Sequence, residues 1–245
     1  MEPAIKQKPL KQWTDEERIN AVKVIFDTIS PRYDLLNRLM SGRQDVRWRR
    51  FTVSRLPQNA KIALDVATGT GDLAIDMAAT GRMEVFGVDF VEKMMRYAVE
   101  KTTARNLSGR ITYSAADAMN LPFPADTFDA ATMAFGIRNM PDRLSALKEM
   151  VRVVKPGGKI LVLEMTFPRN LRLRRFFTWY LNNVIPFVGG IISGNRSAYK
   201  YLPDSIQDFL NPDDLAALFE KAGLESVKAF PMTFGLTYLH EGCVK

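Results

Sequence analysis

The segment FGIRNMPD, residues 135–142, places an arginine and an asparagine, Arg138 and Asn139, at a position where chemistry is expected. The apolar run FDAATMA before it (128–134) predicts a buried strand, and the residues after it predict a helix over 142–154. Ligands of α/β proteins bind beyond the carboxyl ends of such strands. A guanidinium there can stabilise a developing anion or hold a water molecule that takes a proton. A carboxamide can orient that water or a ligand hydroxyl.

A third candidate for this chemistry is Tyr33, in the segment SPRYD, provided that the N-terminal helices fold over the site. The alternative for Arg138 is a structural salt bridge to Asp142 or to another surface acid. The single histidine of the chain, His240, lies close to the C-terminus, so the sequence does not guarantee an imidazole base.

A glycine-rich loop follows the predicted strand KIALDV (61–66). The segment LDVATGTGDLA contains Gly69-x-Gly71-x-x-Ala74, between that strand and a helix predicted over 72–80. Glycines at this place allow a tight turn and a close approach of the backbone to a ligand. The motif alone leaves a structural turn and a dinucleotide site open.

Three carboxylates stand at or just beyond consecutive strand ends. Asp65 ends the first strand, Asp89 ends the second, EVFGVD, and Asp117 follows the third. A carboxylate at the second strand can accept ribose hydroxyls, and one at the third can accept the exocyclic amine of adenine. Asp65 and Asp72, on either side of the glycines, predict a locally acidic loop, which favours a cationic nucleoside such as S-adenosylmethionine over a pyrophosphate.

The elements that must hold these residues alternate along the chain. Short apolar runs predict strands over 61–66, 84–89, 111–115, 128–134 and 159–165, with helices over 72–80, 91–104 and 142–154 between them. Two late runs, 226–230 and 237–245, predict an antiparallel edge. We therefore expect an α/β fold with a doubly wound, mostly parallel seven-stranded sheet.

Two regions lie outside this alternation in what we expect to be one domain. Residues 1–56 predict a helical cap, in which Thr14 and Glu17 form a capping-box pattern. Residues 166–210 are too long for a plain connection and predict a substrate-binding or lid insertion, or else helices that merely cover the sheet.

Composition restricts the class of protein. The 245 residues are 47% hydrophobic and 25% charged, as in an ordinary globular protein, and neither a membrane span nor a secretory signal is recognisable. One Cys and one His argue against a disulfide and a metal site. We expect a cytoplasmic protein. The net charge of +7 leaves RNA binding as an alternative, but no RNA-module motif appears and nucleic acid is not expected.

Several motifs resemble those of the class I S-adenosylmethionine-dependent methyltransferases: LDVATGTGD, GVDF, DAMNLPFPADTFDAATMAFGIRNM and VVKPGGKILVLE. More narrowly, FDTISPRYDLLNRLMS, FGIRN and AYKYLPDSI are similar to signatures of the quinone C-methyltransferases of menaquinone and ubiquinone biosynthesis. The resemblance covers nearly the whole chain, from about Thr14 to Lys245.

This resemblance implies S-adenosylmethionine as cofactor and methylation of a ring carbon of a 2-polyprenyl hydroquinone, more like demethylmenaquinol than the ubiquinone precursor. It implies cofactor contacts at Thr70, Asp89, Asp117 and Ala118. These add to the candidates from the first strand and its loop, which are Asp65, Gly69 and Gly71. The family often has a serine just before its FG pair, where this chain has Ala134, so no side-chain contact is expected there. A methyltransferase for another hydrophobic substrate and a nicotinamide oxidoreductase remain alternatives.

A polyprenyl tail needs an apolar groove, and the insertion offers suitable residues. Its arginines could meet an anionic membrane surface, which predicts a peripheral protein at the inner face of the membrane. The oligomeric state stays open between a monomer and a homodimer. The groove candidates are Phe176, Phe177, Trp179, Tyr180, Ile185, Phe187, Val188, Ile191 and Ile192, and the arginines are Arg172, Arg174 and Arg175.

Overall fold

The computed structural model describes residues 10–185, 187 and 198–245. After three N-terminal helices, strands and helices alternate from Ile62 to Met165, except that the strands Ile111–Ala115 and Phe128–Ala134 have no helix between them. The helices are α1 (Asp15–Ile29), α2 (Tyr33–Met40), α3 (Gln44–Ser54), α4 (Asp72–Ala78), α5 (Glu92–Ala104), α6 (Arg143–Val153), α7 (Leu171–Trp179), α8 (Ala198–Gln207) and α9 (Pro212–Lys221). The strands are β1 (Ile62–Val66), β2 (Glu84–Asp89), β3 (Ile111–Ala115), β4 (Phe128–Ala134), β5 (Val154–Met165), β6 (Leu224–Met232) and β7 (Thr237–Val244).

The seven strands form one sheet in the order β3-β2-β1-β4-β5-β7-β6. The first five strands in this order pair in parallel, and β7 runs antiparallel between β5 and the edge strand β6. The predicted doubly wound, mostly parallel sheet with an antiparallel edge is therefore confirmed. Since β1 and β4 are neighbours while the chain winds outward from them in opposite directions, the carboxyl ends of these two strands border the crevice where such sheets bind ligands.

Helices cover both faces of the sheet. On one face Phe128, Leu147 and Phe219 belong to a buried cluster, and on the other face Met77 and Leu161 belong to a second one. Because both faces are buried, the sequences of the parallel strands are nearly continuous apolar runs, without alternation of apolar and polar residues.

A third buried cluster joins the N-terminal helices to the insertion. Ile25 of α1 and Leu36 of α2 pack with Leu181, Ile185 and Tyr201. This cluster holds the two regions together above the carboxyl edge of the sheet. Among the described residues no helix is long and apolar enough to cross a membrane.

Local signals placed the helix starts correctly. The Thr14 hydroxyl accepts from the backbone of Glu17, whose carboxylate accepts from the Thr14 N–H, so the predicted capping box forms. Asn211 likewise caps α9. The bounds of β5 were predicted too short: it begins at Val154, because KPGG continues in extended backbone beside β4 with a register shift near Phe128.

Candidate active site

The glycine loop between β1 and α4 forms a tight turn below the cavity. Gly69 and Gly71 have φ angles of 55° and 77°, in the left-handed region that glycine adopts without strain. A Cβ atom on Gly71 would lie 2.8 Å from the Cβ of Ala98, so α5 packs too closely for a side chain. The two glycines therefore form the tight turn that the motif predicts, and the approach of a ligand to the loop backbone stays a prediction.

Asp89, at the end of β2, accepts backbone hydrogen bonds through both carboxylate oxygens. Oδ2 accepts from the N–H of Gly69 at 2.8 Å and Oδ1 from the N–H of Val91 at 2.9 Å. Asp89 is 7% exposed, and burial raises its pKa despite these bonds. The remaining lone pairs of the carboxylate can accept ligand hydroxyls in the adjoining cavity.

Asp65, at the end of β1, is held by two hydroxyl groups. The side chains of Thr68 and Thr132 donate to its carboxylate at 2.7 and 2.8 Å. Burial raises the pKa of Asp65 to about 6. Asp65 borders the cavity, where an adjacent ligand cation would favour its ionised form.

The predicted acidity of the glycine loop was wrong at Asp72. Its carboxylate pairs with Lys101 at 2.5 Å, with Arg49 at 3.1 Å and with Arg38 at 3.8 Å. The adjacent cations lower the pKa of Asp72 and cancel its charge, although burial opposes ionisation. Asp72 is therefore part of a neutralised cluster, and the argument from local acidity does not distinguish a cationic ligand.

Thr70 belongs to the same cluster, which lies at the wall of the cavity. Its hydroxyl donates to Asp34 of α2 at 2.5 Å, and Lys101 donates to both side chains, at 2.6 Å to Asp34 and 3.1 Å to Thr70. These bonds tie the N-terminal helices to the glycine loop. A cofactor contact through the Thr70 hydroxyl stays a prediction, and it would have to replace or share the bond to Asp34.

The site is a cavity with two lobes. The smaller lobe, about 260 Å³, is bordered by Asp89, Asp117 and Ala118, which is the predicted nucleoside side. The larger lobe, about 410 Å³, is bordered by Asp65 and Arg138 and extends between α2 and α7. Small-molecule sites typically have volumes of about 300–1,000 Å³, a range that includes the larger lobe and the two lobes together but not the smaller lobe alone. One lobe can thus hold an adenosine group while the other receives a second molecule.

The two lobes meet at strained backbone. Ala67 and Phe135 border both lobes, and their φ angles are 54° and 58°. Left-handed backbone costs about 1–3 kcal/mol for a residue other than glycine and clusters at functional sites. Gly136 lets the two turns lie close together, because a Cβ atom on residue 136 would lie 2.8 Å from the Cβ atom of Ala67. Ala134, which replaces the expected serine, also borders both lobes and offers no polar side chain.

Arg138 is buried at the edge of the larger lobe and pairs with Glu164 at the end of β5. Nη1 donates to Glu164 Oε1 at 2.6 Å and to the carbonyl of Phe135 at 2.8 Å. The two side chains are 5% and 1% exposed. The alternative of a pair with Asp142 or a surface acid was wrong, because Asp142 instead caps α6. A buried ion pair is weak evidence for stability, and the arginine of this pair lines the cavity wall.

Asn139 and Tyr33 complete the polar end of the cavity. Asn139 borders the smaller lobe, and its Oδ1 accepts from the hydroxyl of Tyr201 at 3.0 Å. Tyr33 borders both lobes, and burial raises its pKa, with Asn37 as a hydrogen-bond partner. The three predicted residues therefore come together.

Sequence reasoning missed the partners of these residues, Glu164 and Tyr201. Only the apolar run before Glu164 and the motif AYKYLPDSI around Tyr201 could have directed attention to them. His240 is not a candidate base: it borders neither lobe, its Nε2 lies 2.9 Å from the carbonyl of Pro212, and burial lowers its pKa.

The predicted tail groove is present in part. Phe176, Phe177, Tyr180 and Ile185 border the larger lobe, whereas Trp179 and Phe187 are exposed, at 56% and 59%. Val188, Ile191 and Ile192 lie outside the described residues. Arg172, Arg174 and Arg175 are exposed on α7.

Comparison with known proteins agrees with this architecture. Solved structures share the fold: a SAM-dependent methyltransferase from Thermotoga maritima, a possible histamine N-methyltransferase, has a TM-score of 0.62 at 21% identity, with 90% of this chain and 98% of that chain covered.

Relatives found by sequence are more similar to this chain than the solved structure is, at 39% and 46% identity. The demethylmenaquinone methyltransferase of Thermus thermophilus is 46% identical over 221 residues, 89% of this chain and 99% of that protein. The ubiquinone/menaquinone biosynthesis C-methyltransferase UbiE of Geobacter sulfurreducens is 39% identical over 241 residues, 97% of this chain and 93% of that protein. The sequence model of the ubiE/COQ5 methyltransferase family matches residues 11–244. The chain therefore belongs to the ubiE/COQ5 methyltransferase family.

Proposed function

We propose that the protein methylates a ring carbon of a 2-polyprenyl hydroquinone with S-adenosylmethionine, and that demethylmenaquinol is its substrate and menaquinol its product. The observation that carries the proposal is the position of Arg138. Its buried guanidinium borders an apolar lobe directly beside the nucleoside lobe. The names of the family relatives support a quinone pathway, and they include both menaquinone and ubiquinone biosynthesis. A ubiquinone-pathway benzoquinol is therefore the alternative substrate.

The smaller lobe fits the cofactor. Asp89 offers lone pairs for ribose hydroxyls, Asp117 and Ala118 border the place for adenine, and Gly69 leaves room at the loop. Asp65 borders the larger lobe and not the smaller one, so it could pair with the α-amino group of a cofactor that reaches into the larger lobe. Tyr33 and Phe135, which border both lobes, would flank a cofactor bound where the lobes meet. When bound, S-adenosylmethionine supplies an electrophilic methyl group.

The larger lobe must make the ring carbon nucleophilic. A hydroquinone carbon becomes a nucleophile when the neighbouring hydroxyl loses its proton, and a water molecule held by Arg138 can relay this proton to bulk solvent. The guanidinium then stabilises the phenolate. After transfer the ring carbon releases its own hydrogen as a proton, which restores the aromatic ring.

Glu164 and Tyr33 have supporting roles in this scheme. Glu164 fixes the Arg138 fork, since it accepts from Nη1 and also from the backbone N–H of Arg138 at 3.3 Å. Tyr33 acts as a neutral hydrogen-bonding group and not as a base, because burial raises its pKa. The chain thus performs the deprotonation without an imidazole.

Methyl transfer from labelled S-adenosylmethionine tests the function. Reduced demethylmenaquinone and a reduced ubiquinone precursor, each with a short isoprenoid tail, are compared at equal concentrations under anaerobic conditions. We expect faster turnover of demethylmenaquinol. Absence of label in both products would overturn the proposal, and faster labelling of the benzoquinol would reassign the substrate.

We further propose that the protein visits an anionic membrane surface to collect this substrate. The helix α7 exposes Leu171, Phe176 and Trp179, at 70%, 55% and 56%, next to exposed arginines. On α2, Leu35 and Leu39 are exposed at 53% and 52%, and Leu39 also borders the larger lobe. A surface that combines apolar and basic side chains at the mouth of a lipid site is typical of peripheral binding.

Replacement of the three α7 arginines by glutamine is expected to weaken binding to phosphatidylserine-containing vesicles. Each basic residue contributes about 1 kcal/mol at such a surface, so the loss of three should lower the affinity on the order of 100-fold. Flotation with anionic and with neutral vesicles measures the change. The variant replaces Arg172, Arg174 and Arg175.

A matched variant removes the same charge elsewhere. Arg105 directly follows α5, Lys148 lies on α6 and Lys221 lies on α9; all three are exposed and lie outside α7. Their replacement by glutamine should alter flotation much less. Equal losses in both variants would mean that only net charge matters, and the docking surface on α7 would be wrong.

A further inference from the structure

The motif AYKYLPDSI has no role in the function proposed so far, yet it brings a side chain into the active site. Tyr201 lies on α8, in the insertion after β5, and it is 5% exposed. Its ring stacks with Trp13, with centroids 6.2 Å apart and planes at 25°. Tyr201 borders the larger lobe together with Arg138.

The Tyr201 hydroxyl fixes the orientation of Asn139. It donates to Asn139 Oδ1 at 3.0 Å, while Asn139 Nδ2 donates to the carbonyl of Phe135 at 3.4 Å. The Asn139 amide is thus fixed through both of its polar atoms: Nδ2 by the strained turn after β4 and Oδ1 by the insertion. Arg138 holds the same Phe135 carbonyl, so one short network joins the three polar side chains.

The phenol is poised to accept a hydrogen bond. A tyrosine hydroxyl has one proton, which here goes to Asn139, and its oxygen lone pairs remain as acceptors. Burial raises the pKa of Tyr201, although the charge of Arg138 opposes this shift. The group therefore remains a neutral phenol at neutral pH.

We propose that Tyr201 is a catalytic residue that binds the substrate directly: its oxygen accepts a hydrogen bond from a ring hydroxyl of the hydroquinone while its proton remains on the bond to Asn139. This inference rests on the proposed function, since it needs a hydroquinone in the larger lobe. The bond orients the ring so that the other hydroxyl faces Arg138. Tyr201 takes up no proton in the reaction.

Replacement of Tyr201 by phenylalanine tests the inference. We expect kcat/KM for demethylmenaquinol to fall about 10-fold, because one hydrogen bond to the substrate is lost and Asn139 is released. The dissociation constant of S-adenosylhomocysteine should change less than 3-fold. Tyr97→Phe is the control, since Tyr97 lies on α5 and borders neither lobe.

Substrate analogues distinguish contact from a structural role. The two monomethyl ethers of demethylmenaquinol each lack one hydroxyl proton, and their binding to the S-adenosylhomocysteine complex can be followed by tryptophan fluorescence. One of the two ethers lacks the hydroxyl proton that the hydroquinone donates to Tyr201. The Tyr201→Phe variant should bind this ether with the same affinity as the parent protein does. For the hydroquinone itself the variant should bind about 10-fold more weakly.

Three results would count against the inference. Equal loss of affinity for the hydroquinone and both ethers would show that Tyr201 acts only through the fold. Unchanged kcat/KM in Tyr201→Phe, with normal turnover by the parent protein, would overturn the contact and leave the proposed function standing. A parent protein that neither binds nor methylates the hydroquinone would overturn both.

Discussion

Arg138→Lys is expected to lower turnover of the hydroquinone by about 10²–10³-fold at saturating cofactor. Lysine keeps the positive charge beside Glu164, so the buried carboxylate retains a counter-ion. It loses the planar fork that can hold Glu164, the Phe135 carbonyl and a phenolate at once. The loss of one preorganised donor to a developing oxyanion has effects of this size. Initial rates of methyl transfer and the dissociation constant of S-adenosylhomocysteine are measured together.

A second arginine–glutamate pair provides the control for this variant. Arg55 donates to Glu241 from Nε at 2.9 Å and from Nη2 at 2.7 Å, and it borders neither lobe of the cavity. Arg55→Lys should leave turnover within about 2-fold. If Arg138→Lys weakens the binding of S-adenosylhomocysteine and leaves turnover at saturation unchanged, then Arg138 serves the cofactor and not the substrate.

The sequence predicted the parts of this site that follow from strand ends. Asp65, Asp89 and Arg138 are each recognisable because an apolar run ends beside them, and parallel strands bring such ends to one edge of the sheet. The order of the strands was not needed for this prediction. A local pattern and one general rule of α/β sheets were enough.

The partners of those residues could not be read from the sequence. Glu164 reaches Arg138 only because β5 lies beside β4, and Tyr201 reaches Asn139 only because α8 packs into the cluster above the sheet. The charge of Asp72 was misjudged for the same reason, since its cations come from α2, α3 and α5. Which side chains neutralise each other depends on tertiary packing, which the periodicity of one segment does not contain.

The limits of β5 give a similar example within the fold. A proline and two glycines usually end a strand, and they predicted a loop before Lys159. In the structure they continue the strand with a register shift against β4. Pairing with a neighbouring strand overrode the local preference.

Asp89→Asn is expected to weaken the binding of S-adenosylhomocysteine about 10- to 100-fold. The carboxylate accepts from the N–H groups of Gly69 and Val91, one through each oxygen, and an amide can accept through only one atom. The other N–H would face an NH₂ group, and the ribose hydroxyls would lose an anionic acceptor. Hydrogen bonds to a charged group contribute about 1.5–3 kcal/mol, which corresponds to this range. Isothermal titration measures the affinity, and turnover at saturating cofactor should change less.

Asp129→Asn separates the effect on the cofactor from an effect on the fold. The carboxylate of Asp129 accepts from two backbone N–H groups as well, those of Lys61 and Ile62 at 2.7 and 3.0 Å, but at the opposite end of β1. Both variants should lower the melting temperature by a few degrees, because Asp89→Asn loses a backbone contact and Asp129→Asn loses the ion pair with Lys155 at 2.7 Å. Only Asp89→Asn should weaken the binding of S-adenosylhomocysteine. If both variants weaken the binding of S-adenosylhomocysteine equally, Asp89 stabilises the glycine loop and does not bind the ribose.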